Sequence, residues 1–172
     1  MNNQIKLTEV VPEVQHIVTK EELLQQNSIS YISCKLVRDE EKSYIAKKIT
    51  SPAAVEAVGK GLLELEDKDI EEFWILHLSS RNTINALQMV SRGSLSESLA
   101  HPREVFKAAL LNNSSSIILI HNHPSGDSNP SGNDKKTTER LVEAGKIIGI
   151  KVMDHVVIGK GNIYSFKENI LI

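Results

Sequence analysis

The stretch from His121 to Asp134 places the tightest constraint on what this chain can fold into. Two histidines, two aspartates, two prolines and two glycines share its fourteen residues, so it reads as a loop and not as the continuation of a helix or strand. On one side stands Ile117-Ile118-Leu119-Ile120, an apolar run of strand length. On the other, from Lys135 to Gly149, apolar residues recur at helical spacing. A strand therefore delivers His121 and His123 to a constrained loop, and a helix leaves from its far side.

Alternate side chains of a strand point the same way at a rise of about 3.3 Å per residue, so His121 and His123 project together, ~6.6 Å apart along the chain. Two imidazoles on one face can converge on a single ion, each nitrogen about 2.0–2.1 Å from zinc. Asp134, in the first turn of the next helix, is a candidate third ligand. A His₂Asp set keeps a fourth position for water, the arrangement of catalytic rather than structural zinc. Each feature has a plainer reading: a lone His-x-His pair is often core or surface histidine, and Ser131-x-x-Asp134 is close to a helix capping box. Together they favour a metal site. A base is still needed to move the water's proton. Glu71 and Glu72, just ahead of the apolar strand Phe73 to Leu78, are candidates, against the alternative of a solvated acidic turn over Asp69 to Glu72.

The remainder of the composition mainly excludes. At 172 residues the chain supports one main core. Its 20 Lys and Arg are interspersed among 22 Asp and Glu, for a net charge of −2, so nucleic-acid binding is not indicated by charge. Cys34 is the only cysteine, which rules out an intrachain disulfide or a thiolate zinc cluster and fits a reducing compartment. With no apolar leader and no apolar run long enough to span a membrane, a cytoplasmic location is expected.

Along the chain, a short strand is expected over Lys6 to Val11, a capped helix over Thr19 to Gln26 and a strand through Ile29 to Leu36, with residues 1–50 forming an extension without assigned chemistry. Ser51-Pro52 starts a helix expected through Leu65, despite Gly59 and Gly61. Phe73 to Leu78 and Thr83 to Val90 make a hairpin broken at Ser91-Arg92-Gly93-Ser94, and His101-Pro102 opens a helix ending near Asn112-Asn113. The helix after the loop presents Leu141, Val142, Ala144, Ile147 and Ile148 as its apolar face. The tail, Ile150 to Ile158, reads as strand broken at Asp154-His155, then turns at Gly159 to Asn162 into Ile163 to Phe166. This order implies a mixed sheet with helices packed on it, an α/β or α+β layered domain over 51–172. Of the other histidines, His77 is expected in the core, His101 at a helix start, and His155 with Asp154 as support for the site from the last hairpin. His16 has no context.

His121-x-His123-Pro124 followed by Pro130-Ser131-x-x-Asp134 resembles the JAMM (MPN+) metalloprotease motif, and His-Asn-His-Pro-Ser-Gly-Asp resembles its RadC-type branch. Ser91 to Leu95, His101 to Ala109, Leu141 to Gly145 and Asp154 to Gly159 extend the likeness over about residues 51 to 168. The resemblance implies a JAMM/MPN-like fold of the cytidine-deaminase-like layered kind, with one zinc ion (Zn²⁺) held by His121, His123 and Asp134. It implies Glu71, two residues before the strand's aromatic, as general acid/base, with Glu72 as the alternative, and Ser131 as support for an oxyanion. The expected activity is zinc-dependent hydrolysis of peptide or isopeptide bonds in a peptide or protein substrate. The rival expectation is an accessory protein of DNA repair or mobile elements that cleaves no peptide. Residues 1–50 show no helix-hairpin-helix, so this chain looks like a short form of the family.

Overall fold

The computed structural model describes residues 33–35, 48–93 and 100–172. The chain divides into two compact units, 1–34 and 35–172, and the architecture below is that of the second. The strand and helix expected over Lys6 to Val11 and Thr19 to Gln26 lie outside the described residues. Of the strand expected through Leu36, Ser33 to Lys35 are exposed and extend no strand.

Five strands form one mixed sheet in the order β2-β1-β3-β4-β5. They are β1 (Glu72–Leu78), β2 (Ile84–Arg92), β3 (Ser116–Asn122), β4 (Lys151–Ile158) and β5 (Ile163–Ser165). β1 runs antiparallel to both β2 and β3, β3 and β4 are parallel, and β5 returns antiparallel to β4. The parallel pair needs a crossover, which the helix α3 (Gly132–Ile148) supplies.

Helices cover both faces, which is why β3 is buried at every position. On one face, α1 (Pro52–Gly61) sets Val55 and Val58 against Leu76, Leu78, Ile118, Ile120, Val156 and Ile158. On the other, α2 (Pro102–Leu111) and α3 set Val105, Phe106, Ala109 and Leu141 against Phe73, Ile75, Ile117 and Leu119. Each fully buried side chain of this size contributes about 1.5–3 kcal/mol.

Several expectations change. α1 stops at Gly61, short of Leu65, because the amides of Leu62 and Leu63 both turn back to the Val58 carbonyl and Glu64 takes a left-handed φ of 54°. Leu65 is then buried from a 3-10 turn over Leu65–Asp67. Gly59 is no mere weak point, since a Cβ there would lie 2.7 Å from the Ile120 side chain, and its absence seats α1 on the sheet. The apolar face assigned to α3 is rotated in part: Leu141, Val142 and Ala144 pack on the core as expected, and Ile147 and Ile148 do not. The helix buries Asp134, Thr137, Thr138, Leu141 and Gly145, whereas Ile147 is 88% exposed. Gly145 sets that rotation, because its close approach to the Ile150 carbonyl and the Phe106 ring leaves no room for a side chain. Finally, β4 runs on through Asp154 and His155, both buried within it, with only a shift of register against β3 just before Asp154, and β2 continues to Arg92.

Candidate metal centre

Antiparallel pairing places Phe73 of β1 opposite His121 of β3, so the start of β1 lies beside the end of β3. Side-chain alternation then separates the two glutamates. Glu71 shares the sheet face of Phe73, toward the histidines. Glu72 shares the face of Trp74, where its carboxylate accepts the indole Nε1–H at 2.9 Å and pairs with Arg92 at 3.4 Å. The ligand atoms of Glu71, His121, His123 and Asp134 all lie within 4.8 Å of one another.

The three expected ligands form the tightest part of the cluster. Nε2 of His121 stands 3.0 Å from Nε2 of His123, and the two nitrogens lie 3.5 and 3.4 Å from the carboxylate oxygens of Asp134. Ligands about 2.0–2.1 Å from a tetrahedral ion are about 3.3–3.4 Å apart, so the residues fit a zinc-sized cation. Their positions follow from local structure. His121 is fully buried at the end of β3, and His123, the first residue after that strand, is partly open. The His123 ring donates Nδ1–H to the Asp127 carbonyl at 2.6 Å, which leaves Nε2 facing the cluster. The contribution of Asp127 here comes from its main chain; its carboxylate caps the amide of Asn129.

Asp134 is the N3 residue of α3 in a full capping box. Its Oδ2 accepts from the Ser131 amide at 2.6 Å, and the Ser131 hydroxyl oxygen accepts from the Asp134 amide at 3.2 Å. The box fixes the carboxylate that faces the histidines. The Ser131 hydroxyl also lies within hydrogen-bond reach of the Asp134 carboxylate.

The electrostatics of the cluster favour positive charge among these groups. Burial pushes the His121 imidazole down to about 4, with Asp134 opposing, so it stands neutral. The hydrogen bond to Asp134 pushes His123 up, against partial burial. Burial works against ionised Asp134, yet the hydrogen bonds from His123 and from the Ser131 side chain and amide hold its carboxyl well below the usual range.

Supporting contacts come from residues with weak sequence signals. Asn122, between the two histidines, points to the opposite face. It donates Nδ2–H to the Ile70 carbonyl at 3.1 Å and accepts the Glu72 amide at 2.8 Å, gripping both peptide groups that flank Glu71. The Gly93 amide bonds the Glu71 carbonyl at 2.8 Å. His155 meets His121 at 2.8 Å from β4, the first strand of the last hairpin, as expected. Asp154 faces away and binds Ser165 and Lys167, so it gives the site no direct support. The loop leans on the β4–β5 turn, where the Lys160 amide bonds the Gly126 carbonyl at 2.8 Å and any Cβ at Gly159 would meet Gly126 and Ser128 backbone. His101 caps α2 through Nδ1, and His77 is buried in β1, as expected for both.

A layered α/β domain with a His₂-carboxylate cluster at the tips of adjacent strands has the form of a JAB/MPN-like domain. The family model for the RadC-like JAB domain matches residues 49–171, and the chain belongs to that family, whose fold is of the JAMM-type metal-dependent hydrolase kind. The chain is 51% identical over 120 residues to a UPF0758 protein of Caldanaerobacter subterraneus subsp. tengcongensis, covering 70% of this chain and 51% of the relative. It is 48% identical over 122 residues to a UPF0758 protein of Methanosarcina acetivorans, covering 71% and 52%. A third relative, from Alkaliphilus oremlandii, is 56% identical over 102 residues, covering 59% and 44%. The chain thus spans about half the length of the curated relatives it matches. Among the described residues no helix is long and apolar enough to cross a membrane.

Proposed function

We propose that this chain is a zinc-dependent hydrolase of peptide or isopeptide bonds. The observation that carries the reading is the convergence of two imidazole nitrogens, the Asp134 carboxylate and the Glu71 carboxylate within 4.8 Å at one edge of the sheet. His121, His123 and Asp134 would hold the ion. When bound, Zn²⁺ supplies Lewis-acid polarisation of a carbonyl and activation of water.

The chain's own residues supply the rest. Glu71, half-buried and held by its flanking peptides, takes a proton from the attacking water and passes it to the departing amine. Ser131 would turn its O–H from the Asp134 carboxylate to the oxyanion. Glu72 is spoken for by Trp74 and Arg92 on the other face, which favours Glu71 as the base.

Metal analysis of the purified protein, followed by cleavage profiling on a peptide library, tests the reading. Zn²⁺ at one per chain is expected, with cleavage lost on chelation. Glu71→Gln should keep the metal and lose at least about 100-fold in kcat. A wild-type protein that takes up no Zn²⁺, or a Glu71→Gln variant as active as wild type, would sink it.

A further inference from the structure

His121 can hold a metal through Nε2 only if its ring proton sits on Nδ1, and an imidazole in isolation does not enforce that choice. The structure contains a chain of hydrogen bonds that does. Nδ1 of His121 lies 2.8 Å from Nε2 of His155, and Nδ1 of His155 lies 2.6 Å from the Thr138 hydroxyl. That hydroxyl in turn lies 2.6 Å from the main-chain carbonyl of Asp134, one turn earlier on α3.

The direction of the chain follows from donor and acceptor capacity. A carbonyl only accepts, so the single Thr138 O–H proton goes to Asp134. Its oxygen must then receive the Nδ1–H of His155. A neutral His155 with its proton on Nδ1 has a bare Nε2, which accepts the Nδ1–H of His121. The Nε2 of His121 is left as a lone pair aimed at His123 and Asp134. Were the Thr138 proton turned toward His155, every bond would reverse, and His121 would point an N–H into the cluster that no metal could use.

Packing holds the rings in line. Phe166 stacks on His155 with centroids 4.7 Å apart and 14° between planes, and Phe73 stacks on His121 at 6.0 Å and meets His155 edge-on at 5.6 Å. His121, His155 and Thr138 are all buried, so water does not compete for these bonds. Threonines in helices often return their O–H to the carbonyl four residues earlier, which makes the fixed end of the chain an ordinary helical bond.

We propose that Thr138 and His155 are positioning residues that set the tautomer of His121 and so present its Nε2 lone pair to the metal. The helix that contributes the Asp134 carboxylate thereby also sets, through the Asp134 carbonyl, the protonated nitrogen of a second ligand. This inference rests on the metal-centre reading above, and its test separates the two.

Nitrogen-15 NMR of the histidine side chains in metal-free protein reads each tautomer directly, without metal or activity. Wild type should show His121 and His155 both as Nδ1–H. Thr138→Val, folded as judged by its melting transition, should shift His121 toward Nε2–H and weaken Zn²⁺ binding by about 10- to 100-fold in a chelator competition, as loss of a ligand's outer partner does. Thr138→Ser, which keeps the hydroxyl, should restore both. An Nε2–H tautomer for His121 in wild type overturns the proposal even if no variant folds. So does a Thr138→Val protein with unchanged tautomer and affinity. A wild-type protein with the Nδ1–H tautomer that binds no Zn²⁺ upholds the relay and overturns the metal-centre reading.

Discussion

The two ends of β1 each lie beside a buried histidine, and the two histidines differ in their partners. At the far end His77 has Ser114 Oγ on Nδ1 at 3.0 Å and Gln88 Oε1 on Nε2 at 3.1 Å, and Gln88 is itself tied to the Glu104 carbonyl. Both ring nitrogens meet neutral oxygens, and the network closes on itself. Beside the near end, His121 meets the nitrogens of two other histidines and a carboxylate. That cluster has lone pairs in excess and closes only around positive charge. Burial is nearly the same, 1% and 0% exposed, so burial does not mark the functional histidine; the chemistry of its partners does.

Several experiments can break or sharpen this contrast, taken from the largest effect downward. Zn²⁺ at about a thousand times its dissociation constant should stabilise wild type by ~4 kcal/mol, a rise in melting temperature on the order of 10 °C. His121→Ala and His123→Ala should abolish that rise. His77→Ala should keep it, and a lost rise there would end the distinction between the two histidines.

His77→Ala should instead lower the stability of the metal-free protein by about 2–3 kcal/mol, because Ser114 and Gln88 lose a buried partner and a cavity opens. Urea unfolding measures this, and a cost below about 0.5 kcal/mol would show that the network is not closed.

The pH response comes next. Burial lowers His77, His121 and His155, so below about 6.5 the unfolded chain takes up protons that the folded chain refuses. Their stabilisation is full above that value and is lost as pH falls toward about 4, the folded value of His121. His123 is raised and acts in the opposite sense, its contribution present below about 6.5 and lost as pH rises through its folded value. Three groups outweigh one, so metal-free protein should be about 1–2 kcal/mol more stable at pH 7 than at pH 5. Equal denaturant midpoints at the two values would contradict the neutral state assigned to these rings. Smallest is Ser131→Ala, expected to cost about 1 kcal/mol through the lost cap. Calorimetry on metal-free protein isolates that cost from any effect on catalysis.

Much of this was legible in the chain, and what was not shares a physical cause. The His-x-His spacing, the constrained loop and the Ser131 to Asp134 cap are local patterns, and the structure brings the expected ligands together. Glu71 and Glu72 were not separable from sequence, because the choice depends on which face of β1 meets the histidine face of β3, a matter of register between strands distant in sequence. The same holds for His155 and Thr138, which reach His121 only through the β3–β4 pairing and the rotation of α3. That rotation defeated an apolar count that gave weight to Ile147, since the helix approaches the sheet through Gly145 and two threonines. Gly59 likewise reads as a helix weakener until its neighbour Ile120 is known.

The grip of Asn122 on the peptides either side of Glu71 carries one more implication. The proton-handling carboxylate is referenced to β3 and not to the exposed acidic turn that leads into it, where Asp67, Asp69 and Ile70 face solvent. Surface loops tolerate added length at little entropic expense. Lengthening the turn ahead of Ile70 is therefore expected to leave the separation of base and ligands unchanged.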